Sequence, residues 1–347
     1  MRLSARRTAF SLLELLVVVA VIALLIGVLL PALGNARRQG RTAVCTSNYH
    51  QLGTATGTYQ ADYQDRIWAF TWRGGRELPL APGSPLPVVV ARDVDAASVQ
   101  AVDIIRRRAE RPDLLMITGW IPHVYYTHLV VQDYLAARLP ERMVVCPEDS
   151  HRLSWQVQPI DRFDKNFWAP YQPVGGSNGQ KRWPYSSTYQ VVPATYDRST
   201  NPSARIYQDM GSTAGMYWLP SDSVLGGARL ADIENPSLKV HMMDEEVRHE
   251  GKTALHYGTS PARQPLLMFD GAVRTVKNSD ANSGWQPQKP GDPVPTLMLY
   301  VQGSSIWKAP TSNGEVSEVV MGMYRWTRGG LKGIDFAGAE IDTGQLP

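Results

Sequence analysis

Residues 10–36 read FSLLELLVVVAVIALLIGVLLPALGNA, and this stretch decides the architecture. From Leu15 to Ala36 there are 22 consecutive uncharged residues. As a helix rising about 1.5 Å per residue they reach roughly 33 Å, enough to cross a bilayer core of about 30 Å. A core helix of a soluble domain is shorter and carries polar interruptions. A cleavable secretory signal has an apolar run of only about 7 to 15 residues and ends in a small-x-small site. The sequence that follows here, GNARRQGRTAVC (34–45), lacks such a site, so an uncleaved anchor fits better. One charge, Glu14, stands at the start of the run. A carboxylate at mid-membrane costs roughly 2.5 kcal/mol or more, less near the interface, so Glu14 calls for a partner. Arginines do not set the orientation, since Arg2, Arg6 and Arg7 before the run match Arg37, Arg38 and Arg41 after it.

Outward from this segment, the 347-residue chain is long enough for one large or two ordinary domains, and at 43% hydrophobic it can bury a core. The formal net charge of +3 equals the contribution of Arg2, Arg6 and Arg7 alone. The rest of the chain is balanced, which argues against a nucleic-acid surface. Two cysteines, Cys45 and Cys146, are too few for a disulfide scaffold or a CxxC metal site. In an exported head they could form one bridge.

Past Arg41 the polarity rises but helical spacing persists. Cys45, Tyr49, Leu52, Thr56, Tyr59 and Tyr63 recur at alternating intervals of four and three. This predicts one helix from Phe10 to about Tyr63, half covered by a head along that stripe. Gly53 and Gly57 each weaken it by about 1 kcal/mol, and Pro31 predicts a break or kink. Asp62 and Asp65 mark its end.

The segment AFSLLELLVVVAVIALLIGVLLP (9–31) resembles the N-terminus of type IV prepilins and type II secretion pseudopilins. It has a basic leader, a small residue, Phe, an apolar run with Glu at the fifth mature position, and Pro at the twenty-second. The resemblance implies a bacterial inner-membrane protein with a cytoplasmic N-terminus and a periplasmic head. Prepilin peptidase would cut between Ala9 and Phe10 and methylate the Phe10 amine. Glu14 would then pair with the Phe10 ammonium of an adjacent subunit, strengthened by low dielectric, and Pro31 would mark where the helix loosens on assembly. The family usually has Gly before the cut; Ala9 stands there here, which predicts slower cleavage.

On this reading the chain divides into a leader (1–9), a pilin-like helix (10–63, membrane-spanning over about 10–35) and a globular head (64–347). The fold class is α+β, with the long helix packed against an antiparallel-sheet head. Partners would be prepilin peptidase, other pilin or pseudopilin subunits and membrane lipid, with no enzymatic activity. The rival from another class is a signal-anchored extracytoplasmic carbohydrate-binding or hydrolytic domain.

The head is rich in Trp, Pro and Gly. DAASVQAVDIIRRRAER (95–111) and THLVVQDYLAARL (127–139) show helical spacing, while PVVVARD (87–93) and RMVVCPED (142–149) read as strands. NPSLKVHMMDEE (235–246) predicts a turn and a strand. PLLMFDGAVRTV (265–276) predicts a hairpin on a two-residue Asp270-Gly271 turn, with Phe269 opposite Ala272 and Met268 opposite Val273. A last strand pair is expected around 295–303 and 315–326. More loosely, CTSNYHQLG (45–53), CPED (146–149) and HYGTSPARQPLLMFDGAVRTV (256–276) resemble a bacterial branch of pilin-like proteins with large heads. If Cys45 meets Cys146 across these segments, a bridge closing about 100 residues would contribute up to roughly 4 to 5 kcal/mol; two separate buried thiols are the alternative.

Candidate chemistry in the head is sparse. Asp244, Glu245 and Glu246, with His249, His256 and Asp270 downstream, offer ligands for calcium or a transition metal, but EF-hand and HExxH spacings are absent and such carboxylates are usually solvated. No GxSxG elbow, P-loop or GxGxxG appears, so neither a serine nucleophile nor a nucleotide has support. Trp72, Trp155, Trp168, Trp183 and Trp285 lie in loop-like sequence and could stack on sugar rings, although core packing is the commoner use of such residues.

Overall fold

The computed structural model describes residues 11–117, 120–136, 138–157, 159, 182–208, 217–251, 253–259, 261, 263–292, 297–301 and 317–336. Ala9, Phe10 and Trp168 lie outside the described residues. Helix α1 runs Leu12–Asp62, 51 residues, with Pro31 inside it. Of the break or kink predicted at Pro31, the break does not occur: the helix runs through it. A proline removes one backbone donor, and helix of many turns on both sides tolerates that loss.

The helix begins with a reciprocal cap. Ser11 N donates to Glu14 Oε2 at 2.8 Å and Glu14 N donates to Ser11 Oγ at 3.2 Å. This S-x-x-E box satisfies orphan donors of the first turn, so Glu14 has a partner within its own chain. Every residue from Ser11 to Arg41 is exposed, and this stretch holds the one described helix long and apolar enough to cross a membrane.

The chain resolves into two compact units, Met1–Ala43 and Val44–Pro347, so α1 from Val44 onward belongs to the head. There Cys45, Asn48, Tyr49, Leu52, Ala55, Thr56 and Tyr59 are buried. The expected stripe is present, except that Tyr63 is exposed and stacks on Tyr59 at 4.4 Å. Gln64 and Asp65 take left-handed backbone (φ 55 and 59), and Asp65 N bonds Gln60 O at 2.9 Å, which ends the helix.

Among the described residues the other α-helices are α2 (Asp93–Arg108) and α3 (Ser150–Val157). α2 carries acids in its first turn and three arginines in its last, each favourable to the helix dipole. Its apolar face, including Val99, Val102 and Ile105, packs in a core cluster of its own with Phe70, Trp120 and Tyr126.

The strands are β1 (Tyr189–Val191), β2 (Tyr207–Gln208), β3 (Tyr217–Trp218), β4 (Val240–Asp244), β5 (Glu246–Val247), β6 (Leu255–His256), β7 (Arg263–Met268), β8 (Val273–Lys277), β9 (Leu297–Val301) and β10 (Ser317–Met321). The main sheet has the order β1-β4-β7-β8, and its neighbours all pair antiparallel. β2-β3, β5-β6 and β9-β10 form separate two-stranded antiparallel sheets. Both faces of the main sheet are covered. Tyr189, Val191, Met242 and Leu267 join the cluster of α1, while Val240, Met243, Leu266 and Met268 join Tyr257 and Tyr324. This explains why β4 reads as an unbroken buried run.

Three local readings are corrected. Residues 142–144 form a 3₁₀ turn instead of a strand, because the Glu141 side chain accepts from Met143 N and Pro147 follows closely. Within 87–93 only an isolated bridge, Val89 to Glu77, is made. In the β7–β8 hairpin, Leu267 faces Val273 and Leu266 faces Arg274, one residue away from the two-residue-turn register. Gly271 N bonds Met268 O at 3.1 Å and Gly271 alone of the pair takes positive φ, +82°. The loop is therefore a type I turn followed by a left-handed glycine. Asp270 stays right-handed because its Oδ1 accepts from Ala272 N at 2.9 Å and its own N bonds Pro236 O at 3.2 Å.

This turn lies against α1. A Cβ on Gly53 would sit 3.1 Å from Leu267 Cδ1 and 3.6 Å from Gly271 O. The glycine of QLG thus lets helix and hairpin approach each other, while that of DG serves the turn through its positive φ.

Candidate functional site

The loosely matched motifs converge inside the head. CTSN supplies Cys45 and Asn48 from α1. CPED supplies Cys146 and Asp149, and the segment after β4 supplies Glu246, Arg248 and His249. Cys45, Cys146 and His249 are buried, with their sulfurs and one ring nitrogen all within 4.8 Å of one another. Cys146 Sγ lies 3.4 Å from His249 Nε2. The cysteines are free thiols here. Tyr189 donates its hydroxyl to Cys45 Sγ at 3.3 Å and receives Asn48 Nδ2 at 3.2 Å. Burial first, then the neighbouring Cys45, pushes the Cys146 thiol well above its ordinary pKa.

Beside the thiols lies a buried ionic network. Asp149 accepts from Thr188 Oγ1 at 2.9 Å and from Arg152 N at 3.1 Å, and it pairs with Arg152 and, at 3.4 Å, with Arg248. Arg248 also holds Asp244 and Glu246, each at 3.0 Å. Burial opposes the charge on Asp149, but Arg248 and then Arg152 outweigh it and hold this carboxyl well below its usual range. For Glu246 burial wins over Arg248, with Asp244 adding to it, and its pKa rises to about 7. Burial likewise raises Asp244, against Arg248. Arg152 packs against two rings, its guanidinium carbon 4.9 Å from the Tyr125 centroid and 4.8 Å from that of Trp183, the rings themselves meeting edge to face at 5.9 Å.

Glu245, between these residues in sequence, enters a different network. It accepts from Tyr125 OH at 2.7 Å, Gln190 Nε2 at 3.1 Å and Arg325 at 3.3 Å. Sequence reading expected the acids of 244–246 to be solvated. Asp244 and Glu246 are instead buried, because Arg248, four and two residues further on, turns back to supply the opposite charge. The weak metal candidates Asp244, Glu245, His256 and Asp270 occupy separate settings. His256 is buried on β6 with Nδ1 accepting from Gly258 N at 3.3 Å, and Asp270 closes the hairpin turn. Among the described residues, the group of three that could share a metal ion is Cys45, Cys146 and His249. Sequence reading had placed His249 with the acids; only folding brings it to the thiols.

Trp155, Trp183 and Trp285 are buried, so they present no stacking platform to a sugar, and Trp72 is half-buried. The arginines, Tyr125 and Tyr189 of these networks escaped sequence reading. Comparison with family models, with curated proteins and with solved structures found no match.

Proposed function

We propose that this chain is a structural pilin-like or pseudopilin subunit, cleaved after Ala9, N-methylated at Phe10 and assembled through its N-terminal helix into a pilus or secretion pseudopilus. The reading places it in a bacterial inner membrane, single-pass, with its N-terminus cytoplasmic and its head periplasmic. Its partners are prepilin peptidase, other subunits and lipid, and it carries no catalytic activity. One observation carries the proposal. A single 51-residue helix, with Ala9-Phe10 shortly before it in the sequence and Glu14 in its first turn, joins an exposed apolar span to a C-terminal part whose stripe is buried in an antiparallel-sheet head. The burial of three of the five candidate tryptophans weakens the carbohydrate-binding alternative.

The cap formed by Ser11 and Glu14 sharpens the test. Gln serves a capping box as Glu does, but it cannot form an ion pair. Glu14→Gln and Glu14→Ala are therefore both expected to abolish assembly while leaving the head folded, with mature chains from membranes beginning at methylated Phe10. Assembly of Glu14→Gln at the wild-type level would reduce Glu14 to a helix cap. A chain still starting at Met1 would overturn the processing.

A further inference from the structure

We propose that Cys45, Cys146 and His249 form a structural zinc site that ties the head-embedded part of α1 to two distant segments of the head. This inference is independent of the pilin reading. The three side chains come from separate parts of the chain: the helix, the turn before α3, and the segment after β5. All are buried, at 1%, 0% and 8% exposure.

The geometry suits a metal. With zinc–sulfur near 2.3 Å and zinc–nitrogen near 2.0 Å, a tetrahedral ion holds its sulfur and nitrogen ligands about 3.5 Å apart. Cys146 Sγ and His249 Nε2 are 3.4 Å apart, and all three donor atoms fall within 4.8 Å.

The chemistry agrees. Two thiolates and a neutral imidazole carry two negative charges, which a divalent ion cancels, so the loaded site is neutral and tolerates burial. Binding releases the two thiol protons to solvent. A hard ion such as calcium is excluded by the sulfur ligands, and the adjacent carboxylates are taken up by Arg248 and Arg152. The fourth position falls to the Tyr189 hydroxyl, which reaches Cys45 Sγ at 3.3 Å, or to a water. His249 Nε2, 3.4 Å from Cys146 Sγ, is the nitrogen directed at the thiols.

The full chain, purified in detergent micelles without chelator, is expected to hold one zinc per chain. Exchange for cobalt(II) should produce a thiolate-to-metal charge-transfer band. His249→Ala should lower zinc affinity by roughly 100-fold or more, and Tyr189→Phe by roughly 10-fold. Since a substitution at a buried position can impair folding, the wild-type chain is also measured alone. Its denatured mass should equal that of the fully reduced protein, and both thiols should be slow to alkylate until zinc is stripped. A mass two hydrogens lower, showing a Cys45–Cys146 disulfide, would overturn the proposal. So would reduced thiols that take up neither zinc nor cobalt, or metal retained when Cys146 is replaced by Ser.

Discussion

Asp149→Asn tests the buried network most directly. Asn keeps the shape and an acceptor for Thr188 but removes the charge. Arg248 retains Asp244 and Glu246 at 3.0 Å. Arg152 retains Ser186 Oγ at 3.1 Å and its contacts with the Tyr125 and Trp183 rings, none of them charged. The substitution therefore leaves a guanidinium, 4% exposed, with no anion in hydrogen-bond contact. Losing one partner of such a pair costs about 3 to 5 kcal/mol. For the 304-residue unit Val44–Pro347, with an unfolding entropy of roughly 2.1 cal/mol/K per residue, that lowers Tm by about 5 to 8 °C. Arg152→Met should cost less, since Asp149 still has Arg248 and Thr188. The double variant should be more stable than the sum of the singles by about 1 to 3 kcal/mol. Thermal unfolding of the four proteins, followed by near-ultraviolet circular dichroism in one detergent, measures the cycle. A shift below about 1 °C for Asp149→Asn, or strict additivity, would refute the reasoning.

A second buried pair makes a parallel case. Lys239, 0% exposed, bonds Asp335 at 2.9 Å, and Asp335 also accepts Val240 N at 2.7 Å. Asp335→Asn should destabilise the head by about 3 to 5 kcal/mol in chemical denaturation, whereas Lys239→Met with Asp335→Leu should recover most of that loss. The acid limb of stability belongs in part to His123, His128 and His241. Burial is the first cause that lowers each to a pKa of about 3, with Arg73 adding for His123 and Lys239 for His241. A depressed folded pKa gives stability that is present above about 6.5 and lost as pH falls toward about 3, because the unfolded chain binds the protons. At pH 5 this is on the order of 2 kcal/mol per histidine. His128→Gln should flatten that limb in urea titrations from pH 7 to pH 5, and an unchanged slope would rule out the assignment.

What was legible in the sequence was whatever a single period could carry. The apolar span, the stripe from Cys45 to Tyr59, α2 and the β9–β10 pair each announce themselves within about 20 residues. The S-x-x-E cap at Ser11 is equally local, Ser11 and Glu14 standing three apart at the head of the apolar run. Register was less legible. Asp270-Gly271 marks a turn, but a side-chain bond from Asp270 to the backbone chose the three-residue form. The ionic core was hidden for a different reason. Asp149 and Arg248 are about a hundred residues apart, as are Cys146 and His249, and no pattern of hydropathy tells a solvated carboxylate from one awaiting a distant arginine.

The contact between Gly53 and the β7–β8 hairpin has a consequence for the order of synthesis. The helix stripe is complete once Tyr59 is made, but Leu267, which lies against it, comes about 200 residues later. At translation rates of about 5 to 20 residues per second this interval is roughly 10 to 40 s. Throughout it the tyrosines and Leu52 have no hairpin to cover them. The apolar span emerges well before the surface that completes the head, so the nascent chain carries a bare apolar face, at the membrane on the reading proposed above. Translation rate, and whatever shields that face meanwhile, thus bear on the yield of folded head as directly as any contact within it.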